Sequence, residues 1–261
     1  MALLHIEGKK MPSFTDFKDQ KRIKALIIGD SGSGKTGLLA TLANAGYNLR
    51  IIDLENNLNV IGSYLKGDAA KNIHYASLDP NDKRALEGIN ALVRHWKIGT
   101  EDLGPTKDWT NKEVLVIDST TKLGDVCLNC TSATNKDDRT HYMNAGEEFQ
   151  NLMSFLLDPS PLRFNVVCLA HIRYVAVQSD KVADTMTMKA YPTSVGSKLP
   201  ISFARGFTDV FGIKVSAVGQ NVKRVIRTDA DSMMGMKSSN PSKLKLEEEF
   251  DLGVIFNKLL T

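Results

Sequence analysis

One stretch, ALIIGDSGSGKTGLLATL at residues 25–42, restricts what this chain can fold into more than any other. Apolar residues run into a burst of glycine and serine and then resume with helical spacing. RIKALIIG (22–29) reads as a buried strand that stops abruptly at glycine, and KTGLLATLANAG (35–46) as a helix ended by Gly46. Between them Gly29-Asp30-Ser31-Gly32-Ser33-Gly34-Lys35-Thr36 satisfies G-x-x-x-x-G-K-[ST] at every fixed position. Glycines let the backbone curl so that successive N–H groups converge on phosphate oxygens, and the helix start, with Gly37, adds its positive end. Lys35 is placed to reach the β- and γ-phosphates of a nucleotide, and the Thr36 hydroxyl to ligate Mg²⁺.

The strand and helix signals repeat along the chain. NLRIIDLE (48–55), EVLVID (113–118) and RFNVVCLAHI (163–172) read as buried strands. DKRALEGINALVRHWK (82–97) and AGEEFQNLMSFLLD (145–158) carry helical periodicity, and the tail ends in a helix. Such alternation predicts an α/β fold, a mostly parallel sheet with flanking crossover helices. FTDVFGIKV and NVKRVIRT flank SAVGQ and predict an antiparallel hairpin around Gly219, added at one edge. Residues 1–21 read as a short N-terminal arm and 22–261 as one nucleotide-hydrolysing domain. No signal peptide is read at the start, and no apolar run reaches the ~20 residues of a membrane helix.

Asp118 ends the strand VLVID, where a phosphate-binding loop needs its second, Mg²⁺-binding carboxylate, held mainly through water. TNKDD (134–138) contains the N-K-x-D of guanine readers, but no strand precedes it and VIDSTT lacks the glycine of D-x-x-G, so a GTPase is disfavoured. Three cysteines, an odd number, argue against a disulfide framework. Cys127 and Cys130 form C-x-x-C with only His141 nearby, which reads as two ordinary thiols on one helix turn rather than a zinc site.

Asp53 and Glu55 in IIDLEN, Asp118 and Ser119 in VIDSTT, and His171 and Arg173 in LAHIRY all fall at predicted strand ends. With the phosphate-binding loop and VGSKLPISFARGFTDVFGIKV (195–215), this order resembles the RecA-like P-loop ATPase core. The segment IRTDADSMMGMKSSNPSKL with its acidic C-terminal helix is similar to the tail of short phage ATP-binding proteins of recombination and single-strand annealing. The resemblance implies ATP and Mg²⁺ as cofactors, Glu55 as the carboxylate that activates the attacking water, and His171, in place of the usual glutamine, as the γ-phosphate sensor. Glu55 also reads as a solvated loop acid, His171 as a structural histidine, and Asp53 as a residue that orients its neighbours.

The same resemblance implies single-stranded DNA, a homo-oligomeric ring or filament and a single-strand-binding protein as partners, no membrane, and a cytoplasmic location, that of the host if phage-encoded. Segments 121–144 and 173–197 are then the candidate DNA-facing loops, with Arg173, Lys181 and Lys189 as contacts, since Lys and Arg suit phosphates. Lys237 in MMGMKSS, or Arg205 in SFARGF, is the candidate cation reaching a neighbour's γ-phosphate. A net charge of +3 neither demands nor excludes nucleic acid. A nucleotide-switched assembly, DNA-packaging or replication ATPase acting mainly on protein partners is the alternative.

Overall fold

The structure, a computed structural model, describes residues 22–131, 138–158, 162–178, 186–196, 202–218, 221–231 and 233–261. The expected arm at 1–21, Lys181, Gly219 and the NK of the N-K-x-D motif lie outside the described residues. Strand β1 (Lys24–Ile28) runs into helix α1 (Lys35–Asn44), followed by β2 (Asn48–Asp53), a single turn α2 (Asn59–Gly62), β3 (Ile73–Ser77) and α3 (Ala85–Leu92). A small ribbon, β4 (His95–Ile98) with β5 (Glu101–Pro105), precedes β6 (Glu113–Asp118), α4 (Thr120–Thr131) and α5 (Asp138–Leu157). Then come β7 (Asn165–Ala170), the ribbon β8 (Ile172–Gln178) and β9 (Met186–Pro192), β10 (Asp209–Val218), β11 (Asn221–Arg227), β12 (Glu247–Glu249) and α6 (Leu252–Leu260).

Eight strands form one sheet in the order β12-β11-β10-β1-β7-β6-β2-β3. From β10 to β3 every pair is parallel, and β11 and β12 add antiparallel strands at one edge, as the sequence predicts. Both faces of the sheet are covered, which is why the central strands read as continuous apolar runs rather than alternating ones. Along β1, Leu26 and Ile28 point into one core, with Phe149 and Leu156 of α5, while Ala25 and Ile27 point into the other, with Leu38 and Leu42 of α1. The same period of two splits β6 and β7 between the two cores.

Two expectations are corrected. The helix predicted over 82–97 stops at Leu92, and the chain turns into β4, whose hairpin to β5 passes through Gly99 at φ 59°. The candidate DNA-facing loop at 121–144 is largely helical: Leu123, Val126 and Cys127 on α4 are buried at helical spacing against the core. Among the described residues no helix is long and apolar enough to cross a membrane.

Candidate functional site

Strand order builds the site. In the sheet β7 lies between β1 and β6, and β6 lies beside β2. Register aligns Ile28 with Ala170, Leu169 with Asp118, and Asp118 with Asp53. Gly29, His171, Asp118 and Asp53 therefore emerge side by side at the carboxyl ends of parallel strands, where open α/β sheets place ligands.

The loop after β1 is a cradle. Gly34, at φ 97°, caps α1 without any side-chain hydrogen bond, and the first turn of α1 holds no acidic residue. The leading amides of the helix thus lack intrahelical acceptors and point at the loop. At Gly29 an added Cβ would sit 2.5 Å from Ser33 Oγ, so the Ser33 side chain packs directly on the first residue of the loop. The buried Ser33 hydroxyl has no protein partner.

Lys35 is buried, and its ammonium donates to the Gly29 carbonyl at 2.9 Å and the Asp30 carbonyl at 3.0 Å. Burial lowers its pKa, opposed by the negative charges of Asp118, Glu55 and Asp30. The same ammonium lies 3.3 Å from His171 Nδ1. An ammonium only donates, so Nδ1 accepts and the ring proton sits on Nε2, which donates to Glu55 Oε1 at 3.0 Å. Ser119 donates to that same Glu55 oxygen. Hydrogen bonding from His171 is the largest cause that holds the Glu55 carboxyl down to about 2, burial opposing it. Glu55 is thus an ionised acceptor at neutral pH, able to orient a water that donates to its free lone pairs.

Asp53 is buried and works locally. Its Oδ1 accepts from the backbone N–H groups of Glu55 (3.1 Å) and Asn56 (2.8 Å), and its Oδ2 from Ser77 Oγ (3.1 Å). It fixes the turn that presents Glu55, the orienting role read for it from the sequence.

Thr36 Oγ1 donates to Asp118 Oδ2 at 2.7 Å. The pair offers a hydroxyl and a carboxylate oxygen, hard donors of the kind Mg²⁺ prefers. Burial is the largest cause that raises the Asp118 carboxyl to about 6, the Thr36 hydrogen bond opposing it. An anion so poorly solvated fits a site meant for a cation. Among the described residues no group of three or more His, Cys, Asp or Glu could hold a metal. Cys127 is buried and Cys130 partly so on α4, both free thiols, and burial raises Cys127 to about 12.

Three side chains around the cradle escaped the sequence reading. Arg224 of β11 donates from Nε to the Ser33 carbonyl at 3.1 Å, and Arg224 and Phe250 both lie 3.1 Å from where a Gly34 Cβ would stand. On the other side the Tyr64 ring lies 2.7 Å from a Cβ built on Gly37. They come from segments far from the motif, so only the folded chain joins them to it.

The other candidates scatter. Arg173 is exposed on β8 and donates to the Gly196 carbonyl at 3.3 Å, and Lys189 stands on β9 opposite Val175. Lys237 donates from Nζ to the Arg205 carbonyl at 3.0 Å, so the two rival candidates for a trans-acting cation are neighbours. Lys237 also pairs through its backbone with Val210, which aligns with Leu26 near the middle of β1. Neither is among the residues gathered at the cradle of its own chain.

A family of AAA domains, AAA_24, matches residues 21–240. No curated protein matches the sequence. Among solved structures, the flagellar accessory protein FlaH from Methanocaldococcus jannaschii aligns at 11% identity over 86% of this chain and 83% of that one, TM-score 0.45. An ATPase of the type III secretion system of pathogenic bacteria aligns at 13% identity over 74% and 52%, TM-score 0.48. The RadB recombinase aligns at 13% identity over 79% and 80%, TM-score 0.41.

Proposed function

The chain belongs to the AAA_24 family of AAA domains, and from that premise we propose that it is a Mg²⁺-dependent ATPase acting on single-stranded DNA in recombination or annealing, in a phage context. The observation that carries this reading is the continuous chain Lys35–His171–Glu55, with the β8–β9 ribbon beginning at the next residue. In this reading the cradle amides and Lys35 bind the triphosphate, and Thr36 and Asp118 hold Mg²⁺. The metal, when bound, neutralises charge on the phosphates. Glu55, fixed by Ser119 and His171, orients the attacking water. Lys35 must leave the Gly29 and Asp30 carbonyls to meet phosphate, which releases His171 Nδ1 and carries nucleotide occupancy to the ribbon that holds Arg173 and Lys189. Work is done in a ring or filament of copies, in the cytoplasm, alongside a single-strand-binding protein.

A second reading, an assembly, packaging or replication ATPase acting on protein partners, draws on one feature of the same ribbon. Tyr174, Met186 and Met188 are exposed on one of its faces, an apolar strip that also suits protein. ATP hydrolysis measured with and without single-stranded DNA, beside particle size with ATP, separates the two. Stimulation by the strand supports the first, and hydrolysis indifferent to it overturns the first in favour of the second.

A further inference from the structure

The ribbon touches the cradle at a second place, independent of His171. Tyr174 on β8 reaches back to the loop, and its hydroxyl lies 3.1 Å from Asp30 Oδ2 and 3.3 Å from Oδ1. A carboxylate only accepts, so the phenol donates. Asp30 is the second residue of the phosphate-binding motif, and its side chain is exposed. Its main chain is part of the cradle: the carbonyl accepts from Ser33 N at 3.1 Å and from Lys35 Nζ at 3.0 Å. A negative charge therefore sits on the rim of a site built for a polyanion, where like charge opposes binding.

β8 is anchored well enough to hold that charge. Ile172 pairs with Pro192, Thr193 N donates to the His171 carbonyl at 2.8 Å, and Ala190 N donates to the Met233 carbonyl at 2.9 Å. An added Cβ on Gly124 would lie 3.3 Å from Val195 N, so α4 packs directly on the segment that follows β9. Tyr174 pairs in register with the buried Ala190 at the base of the ribbon, its own ring exposed.

We propose that Tyr174 is a positioning residue for nucleotide binding: its hydroxyl ties the Asp30 carboxylate to the ribbon and keeps that charge from swinging over the phosphate cradle. The proposal rests on the reading of the cradle as a nucleotide site and deepens it. It gives the ribbon a direct grip on the motif, so a ligand that displaces Tyr174 lowers nucleotide affinity without touching Lys35 or Asp118.

A double-mutant cycle on the full chain tests it, with Mg·ADP titrated calorimetrically against wild type, Tyr174→Phe, Asp30→Ala and the double variant. Tyr174→Phe removes one oxygen from an exposed ring and Asp30→Ala alters an exposed side chain, and matching melting curves establish that both fold. The expected result is affinity about three- to tenfold weaker in Tyr174→Phe, as for a like charge brought within a few ångströms of the phosphates through solvent. The same change should be silent in the Asp30→Ala background, and the loss should shrink as salt rises. Equal loss in both backgrounds, or no loss in either, overturns the proposal while leaving the nucleotide site intact. A wild-type chain that binds no nucleotide overturns both.

Discussion

Replacing Glu55 with glutamine tests the centre of the site with almost no change of shape. The amide keeps one oxygen, which can still accept from Ser119 and from His171 Nε2. What disappears is the negative charge, together with its attraction for the Lys35 ammonium. Two magnitudes follow. A hydrogen bond to a charged group contributes about 1.5–3 kcal/mol and a neutral one about 0.5–1.5, so the variant should lose about 1 kcal/mol of stability near neutral pH. Hydrolysis should fall by about 10²-fold or more, because the water loses the ionised acceptor that orients it. Nucleotide affinity should hold, since Thr36, Asp118 and the cradle amides are untouched. The pH dependence carries a sign. The Glu55 carboxyl is held down to about 2, well below its unfolded value, so its stabilisation is present above about pH 4.5 and is lost as pH falls toward 2. Wild type should therefore lose stability through that window more steeply than Glu55→Gln. Single-turnover hydrolysis, calorimetric ATP binding and melting temperatures from pH 6 to pH 2 read all three. Hydrolysis at the wild-type rate would refute the role of Glu55, and parallel acid melting curves would refute the His171–Glu55 pairing.

Other outcomes follow from the same geometry. Lys35→Ala should abolish hydrolysis, and wild-type turnover in that variant would sink the assignment of the phosphate-binding loop. His171→Ala should keep ATP binding and lose stimulation by single-stranded DNA; stimulation that survives unchanged would make the histidine structural. Arg224→Ala should weaken nucleotide binding about fivefold through loss of its bond to the Ser33 carbonyl and of a nearby positive charge, and calorimetry showing unchanged affinity would exclude it from the site. Lys237→Ala and Glu55→Gln proteins, each inactive alone, should regain partial activity when mixed if Lys237 acts on a neighbour's phosphate, and no recovery in verified assemblies would argue against that role.

Much of the site was legible because one period and one motif reinforce each other. A strand buried on both faces must be apolar throughout, so its polar terminus announces itself, and Asp53, Asp118 and His171 all stood out in that way. The motif then said which strand end mattered. α4 was less legible: its polar residues face outward around Leu123, Val126 and Cys127, and the polar majority masked that spacing. The helix over 82–97 read too long because Trp96 continues the apolar period from β4, where it packs into the same core as Leu92. Tyr64, Arg224, Phe250 and the contact of Tyr174 with Asp30 were not legible, because nothing local marks a side chain whose partner is a loop across the fold.

The outer strand β12 has a consequence for how copies can join. It is three residues long, all glutamate, and it closes one side of the sheet. Glu247 is neutralised by Lys214 at 3.0 Å and Glu248 by Lys258 at 2.7 Å, leaving Glu249 exposed. A second β12 laid alongside would bring the Glu249 carboxylates of two copies together for only a few ladder bonds, so pairing of this rim with its own kind is disfavoured. The opposite rim, β3, carries Ile-His-Tyr-Ala-Ser and no carboxylate. Like-charge repulsion therefore guards one rim of the sheet and not the other. In the proposed ring or filament, contacts through helices, ribbons and loops can shift with the nucleotide in a way that a continuous sheet cannot.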